Sequence, residues 1–342
     1  PDGAMNADLP HAASGRISYL DFLKGFSVLW VVLMHVHYEY DPGCMPSWIT
    51  LPYYMPIFCF VSGVFFREKP WHELIAAKAR TLLVPFLTFY LFTLLLYKLH
   101  ELLLALHQKT GFRPFTDSLF GPHAVYSYQV LNGALWFFIG LFCITLLYAF
   151  LKKFLSPIMT VGASLACSLA GLFLWARPEY NPITPLFPLS HILYFLIYFT
   201  LGALYGKKLL QLVENGHSKF LLLLCIIPVV LINAGYGLLP WMRLLPYMAW
   251  QMVCSACFIA FSLLCAKYLD GVKLLRPLRF YGKNSLIVFA THMPIFGLYY
   301  HAWFKTNTFG KIGFFILFLG IEYLLILFFN RCCPRLIGKR PQ

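Results

Sequence analysis

Charge is scarce in this chain. Only 12% of its 342 residues are charged, where a soluble domain carries about 25%. Acidic residues are the scarcest, with 13 Asp and Glu against 27 Lys and Arg. Hydrophobic residues make up 60% of the chain and mean hydropathy is +0.71. An ordinary soluble domain is excluded. The net charge of +14 does not imply a nucleic-acid partner, because the basic residues fall in short segments between apolar runs, as orientation signals do in membrane proteins. Several motifs are missing as well. There is no G-x-S-x-G, no P-loop, no H-E-x-x-H and no C-x-x-C-H, which removes serine hydrolase, NTPase, zincin and c-type haem readings. The ten cysteines form no disulfide framework. Most lie inside apolar runs (Cys59, Cys143, Cys167, Cys225, Cys254, Cys257, Cys265) and act as small apolar residues. Cys254-x-x-Cys257 lacks a second pair, so no metal site is expected. Cys332-Cys333 offers a possible acylation site, though small packing residues are the simpler reading.

Long apolar runs are what the chain has instead. Ten are legible, at 18–38, 51–66, 82–106, 131–151, 157–176, 188–206, 219–236, 246–266, 284–303 and 312–330. Most reach the roughly 20 residues that cross a bilayer as a helix. The expected fold is an all-α, polytopic integral membrane protein of about ten transmembrane helices. One alternate set of connecting segments holds nineteen lysines and arginines and the other holds six, so both termini are expected in the cytoplasm. Residues 1–15 read as an N-terminal tail, its first four foreign to the natural start ahead of Met5. Residues 16–331 read as a single membrane domain and 332–342 as a basic cytoplasmic tail. The first run is too long for a cleavable signal peptide and lacks a small-residue cleavage site.

That first run carries ionisable groups where each costs about 2.5–3.5 kcal/mol at a helix centre. They are Asp21, Lys24, His35 and Glu39. At about 100° per residue, Lys24 and His35 differ by roughly 20° and Asp21 and Glu39 nearly coincide. His35 and Glu39 are spaced i, i+4 and can touch. All four lie in one stripe, with Lys24 and His35 about 16 Å apart along the axis. Intramembrane ionisable groups in such a seam point to function.

Other polar groups sit in or beside the later runs. Lys78-x-Arg80 enters the third run ahead of Pro85, and reads either as an anion clamp or as a positive-inside anchor. Pro85 is expected to kink that helix and widen a cavity. Ser62-Gly63 permits close approach of a ligand or of another helix. Trp136 reads as a sugar-stacking or a belt residue. Asn284 opens the ninth run and His292 lies within it. Glu322 sits alone in the last run and calls for a partner, with Lys24, His35 and His292 the obvious ones. Lys98 reads as a snorkelling side chain.

In order, these features resemble the acyltransferase-3 family of membrane O-acyltransferases. The basic residue, ten residues, then histidine of its first helix is matched by Lys24 and His35, after Asp21 and before Gly25. The apolar phrase ending in Ser-Gly is matched by Met55-Pro56-Ile57-Phe58 through Ser62-Gly63. The basic run before proline is matched by Lys78, Arg80 and Pro85, and the Leu-Trp-Phe phrase by Leu135-Trp136-Phe137. The late Ser-Leu…His-x-Pro phrase is matched by Ser285-Leu286…His292-Met293-Pro294. The Met-Pro-Ile-Phe wording looks most like the fucose 4-O-acetylase-like branch. The resemblance implies acetyl-CoA as cytoplasmic acyl donor and a hydroxyl of a surface carbohydrate, or its lipid-linked precursor, as acceptor, in the inner membrane of a bacterium. It implies that Lys24, Lys78, Arg80 and Ser62 serve the donor, and that His35 is a general base or acyl carrier supported by Glu39 and Asp21. Trp136, Asn284, His292 and Glu322 would serve the acceptor. Lysine at 24, in place of the more usual arginine, offers a point charge rather than a two-pronged clamp. The competing reading is a secondary transporter or flippase using the seam as a path, although no repeat relates two halves of the chain. A non-catalytic scaffold would leave Asp21, Lys24 and His35 unexplained.

Overall fold

The computed structural model describes residues 17–35, 54–108, 132–177, 187–214, 244–303 and 308–339. The described residues are helical, without strands. The order is α1 (Ser18–His35), α2 (Tyr54–Val64) and α3 (Trp71–Lys78), then a π-helical turn (Ala79–Leu83) leading into α4 (Val84–Gln108). A 3-10 turn (Gly133–Leu135) opens α5 (Trp136–Phe154), followed by α6 (Pro157–Ala176) and α7 (Leu189–Glu214). Then come α8 (Leu244–Leu269), the short α9 (Pro277–Lys283), α10 (Ser285–Trp303) and α11 (Thr308–Cys332). Six helices among the described residues are long and apolar enough to cross a membrane, and α2 and part of α10 form shorter apolar helices. The acidic, basic and histidine side chains of α1 keep it outside those six. Nine of the ten expected runs coincide with a described helix. The run at 219–236 lies outside the described residues.

Local sequence accounts for the helix boundaries. Ser156 caps α6 by accepting from the Met159 amide at 3.4 Å, with Pro157 at the first helical position, where its missing N–H costs nothing. Pro85 lacks an amide for the carbonyl four residues back and crowds it. The chain widens into the π-turn just ahead of it, a usual relief for such a defect. The helix begins at Trp71 rather than near residue 82, because Pro70 starts it from an extended conformation.

Two glycine-mediated contacts set the interior. A Cβ on Gly25 would lie 1.9 Å from the Leu278 carbonyl oxygen, and one on Gly282 would lie 1.7 Å from the Asp21 carbonyl oxygen. Helices α1 and α9 therefore meet backbone to backbone. Gly63 and Gly202 do the same for α2 and α7, with a Cβ at either 2.1 Å from a facing carbonyl oxygen. Small residues at such crossings let dispersion and weak polar contacts replace the missing hydrophobic drive in lipid. The outer helices show the opposite pattern. Leu87, Leu91, Leu95, Leu99 and Leu103 on α4 are exposed at helical spacing, the stripe expected of a lipid-facing surface. Around this frame, Ser18 donates to Asp270 at 2.7 Å and Lys267 donates to the carbonyl oxygens of Val213 and Glu214 at the end of α7. These bonds gather the basic ends of α1, α7 and α8.

Candidate active site

At the basic end a cavity of about 350 Å³ opens among α1, α2, the end of α3, the start of α4, α5, the end of α9 and the start of α10. Lys24, Ser62, Lys78 and Asn284, assigned from sequence to two different ligands, line this one space. Pro85 is also in its wall, as expected of a residue that widens a helix. Lys24 is placed by Asp21, which is 2% exposed and lies 2.8 Å from the ammonium, one turn earlier on α1. Two more lysines join the wall, Lys283 and Lys339. The N-terminus of α10 (Ser285, Leu286, Ile287) completes it. The Ile287 amide is already bonded to the Asn284 carbonyl at 2.9 Å, so what this helix start offers an anion is chiefly the positive end of its dipole. Four ammonium groups around such a helix start suit a ligand carrying several phosphate charges.

Lys339 comes from a strap that folds back after α11. Thr88 donates to the Leu336 carbonyl at 2.9 Å. Gly338 has φ of +75° and approaches so closely that a Cβ would lie 2.7 Å from the Arg80 carbonyl oxygen. Lys339 donates to the side-chain oxygens of Asn284 and Asn330, and Asn330 donates to Asn284 at 2.9 Å. Ile337 and Lys339 of this strap thus form part of the cavity wall. Asn284 has its own amide occupied by the Phe280 carbonyl at 2.9 Å, so it is a hub for this wall. Arg80 is exposed and outside the cavity lining.

The cavity ends at Phe58 and Phe137. Phe289 packs on both, with ring centroids 6.4 and 5.0 Å away, and on the far side its ring lies 5.9 Å from His292. Beyond this aromatic wall the seam of α1 reaches His35. The rings of His35 and His292 are 5.0 Å apart. His292 is fully buried and its Nδ1 lies 3.2 Å from the Val288 carbonyl, while its Nε2 has no hydrogen-bond partner among the described residues. Leaving a buried acceptor unsatisfied costs about 1–3 kcal/mol. Glu39 lies outside the described residues.

A second network fixes the helix that carries His292. Pro294 sits inside α10 and cannot donate to the Ala290 carbonyl four residues earlier. Asn132 fills the place, donating to Ala290 O at 2.7 Å and to Thr93 Oγ1 at 3.1 Å. Glu322, fully buried, meets Thr291 Oγ1 through both carboxyl oxygens at 2.7 and 2.9 Å. Its partner is thus Thr291, and not Lys24, His35 or His292. Lys98 is 7% exposed and pairs with Glu101 at 2.8 Å, so it is held in place instead of snorkelling. Trp136 packs away from the cavity, against His191 at 4.5 Å and Phe195 at 5.6 Å, and Trp175 covers His191 at 4.7 Å.

Sequence reasoning missed Lys283, Lys339, Phe289, Thr291 and Asn132. Lys283 adjoins a noted residue and was the one within reach. Lys339 and Asn132 matter only through contacts far apart in the chain. No group of three or more His, Cys, Asp or Glu side chains suited to a metal occurs among the described residues.

Apolar helices of membrane length, a basic cavity at one end of α1 and, at the other, half-buried His35 against buried His292 define an integral membrane protein with an internal polar site. Residues 17–330 match the family model of the acyltransferase-3 domain, described as an acyltransferase domain, and the chain belongs to that family. Comparison with curated proteins found no match, nor did comparison with solved structures.

Proposed function

We propose that this acyltransferase moves an acyl group, acetyl in the first instance, from acyl-CoA to a hydroxyl of a surface carbohydrate or its lipid-linked precursor. The observation that carries the reading is the division of α1. Its Lys24 end lines the basic cavity with Ser62 and Lys78, and its His35 end meets His292. The phosphates of CoA would sit among Lys24, Lys78, Lys283 and Lys339, with the α10 N-terminus beside them. The excess of lysine and arginine in this set of segments supports a cytoplasmic position for that end, in a bacterial inner membrane. The pantetheine arm would pass the aromatic wall and bring the thioester to His35. There the acceptor hydroxyl loses its proton to His35, its oxygen bonds to the carbonyl carbon, the C–S bond breaks and CoA leaves as the thiol. The Met55-Pro56-Ile57-Phe58 phrase supports a fucose 4-O-acetylase-like relationship.

The test is transfer of label from [14C]acetyl-CoA by the purified protein in nanodiscs, with and without an envelope glycan extract. His35→Ala is expected to abolish transfer and to keep CoA binding. Failure of the wild type with acetyl, succinyl and longer donors would refute the reading, as would full activity in the variant.

A further inference from the structure

A second cavity, of about 270 Å³, opens at the same end of the bundle between the end of α2, the start of α3 and the end of α5. Helix α3 stands between the two spaces: Leu74 lines this one and Lys78 the first. The end of α2 divides in the same way, with Phe66 in this wall and Phe65 in the other. The acyl-transfer reading makes no use of the second cavity. Its volume falls just under the roughly 300–1,000 Å³ of sites for drug-sized molecules, so it suits a headgroup and not a whole nucleotide cofactor. Lys69, Lys152 and Lys153 line it against one carboxylate, Glu68. Glu68 pairs with Lys152, and Lys69 stands 3.9 Å from Glu73, four residues on in α3. Lys153 lies over the Phe154 ring, 5.6 Å from its centroid. The wall is cationic on balance, and its remaining residues, Phe66, Pro70, Trp71, Leu74 and Ala149, are largely apolar. The surface beside Lys152 and Lys153 stays apolar. Phe150 and Phe154 are exposed with their rings 5.0 Å apart, and Ile158 and Met159 continue the exposed face at the start of α6. A soluble anion makes no use of that face, whereas a molecule carrying both a phosphate and acyl chains uses all of it.

We infer that this cavity binds the headgroup of an anionic glycerophospholipid, with the phosphodiester among Lys69, Lys152 and Lys153 and an acyl chain along Phe150 and Phe154. The cavity lies where the membrane-length apolar stretches of α5 and α6 meet, at Phe154 and Pro157, and that is headgroup depth. Lysines at this depth each add about fivefold to the affinity for an anionic lipid surface. Trp71 brings an indole to the level of the ester groups, where tryptophan is favoured. The phosphate takes the place of Glu68 beside Lys152, and the Glu68 side chain, 67% exposed, turns out to water. The bound lipid then backs α3 on the face opposite Lys78. The inference stands on this cavity alone and does not depend on the acyl-transfer reading.

Native mass spectrometry of the full chain tests this, with the protein released from detergent micelles that hold equal amounts of phosphatidylglycerol and phosphatidylcholine of the same acyl chains. Wild type is expected to retain phosphatidylglycerol in clear preference. The double variant Lys152→Ala/Lys153→Ala should lose about 25-fold of that preference, two lysines at about fivefold each. Lys207→Ala/Lys208→Ala removes the same charge from exposed positions on α7 outside the cavity and should keep it. Glu68→Gln, which frees Lys152, should strengthen it. Excess inorganic phosphate should leave the lipid in place. Both double variants should unfold at the wild-type midpoint in lipid-free detergent; glutamines, which keep more of the side-chain length, replace the alanines should these unfold early. Equal retention of the two lipids by wild type would overturn the inference, as would equal loss in the two double variants. Displacement by inorganic phosphate would also overturn it, and would make the cavity a site for a soluble anion.

Discussion

Asn132→Ala would remove the only side-chain donor that reaches the Ala290 carbonyl among the described residues. That oxygen is orphaned by Pro294, lies in the interior and receives the Asn132 amide at 2.7 Å. Water has no ready access, since Asn132 and Ala290 are 0% and 1% exposed. The expected cost is the full desolvation of a buried carbonyl, about 1–3 kcal/mol, less a small return because the Asn132 Oδ1 itself has no partner among the described residues. At about 2–4 °C per kcal/mol for chains of some 150–250 residues, the thermal midpoint should fall by several degrees. The decisive arm is Pro294→Ala in the same background. An alanine restores the amide at position 294, which can then bond Ala290 O within the helix, so the double variant should regain most of the loss. Thermal unfolding in nanodiscs, read for wild type, both singles and the double, gives the coupling directly. If Asn132→Ala lies within about 0.5 kcal/mol of wild type, or if the two changes simply add, the proposed exchange of donors is wrong. Activity should follow the same pattern, because His292 sits between Ala290 and Pro294 on the kinked helix.

Two other outcomes follow from the basic end of the bundle. Lys339→Ala and Lys78→Ala should each weaken CoA binding by about tenfold, the equivalent of about 1.4 kcal/mol, with a smaller effect on 3′-dephospho-CoA for whichever lysine faces the 3′-phosphate; titration calorimetry at two salt concentrations would read both. Gly25→Ala should cost at least about 1–3 kcal/mol by overpacking, since the new methyl would meet backbone at Leu278 and not a flexible side chain; near wild-type stability would refute the close α1–α9 crossing.

The seam of α1 was legible because helix geometry alone puts Asp21, Lys24 and His35 on one stripe; the structure places Lys24 in the cavity wall and the His35 ring against His292. Ser62-Gly63 was legible as a place of close approach, by a helix or by a ligand: Gly63 packs on the α7 backbone, and Ser62 lines the cavity. Pro85 was readable as a widening device, although the π-turn ahead of it was not, because that depends on which neighbours fill the gap. Glu322 was recognised as needing a partner, but periodicity within one helix cannot name a threonine on another. Lys339 was least legible. A short basic stretch after the last apolar run looks like an anchor, and only the return of the chain at Gly338 makes it part of a wall. The helices were read from local apolar length and the site from contacts across the bundle, which is why the first came out more completely than the second.

Phe58, Phe137 and Phe289 pack on one another between the basic cavity and His292. An energised membrane cannot tolerate an open water column through one of its proteins, since protons and salt would run down their gradients at every turnover. Three edge-on and tilted rings offer such a column no polar foothold, and on the proposed acyl-CoA reading they would have to part around a slender thioester arm and shut behind it. On the acyl-transfer reading proposed above, insulation and passage would depend on the same three side chains, and a smaller residue at any of them is expected to show first as ion leakage, before any loss of transfer.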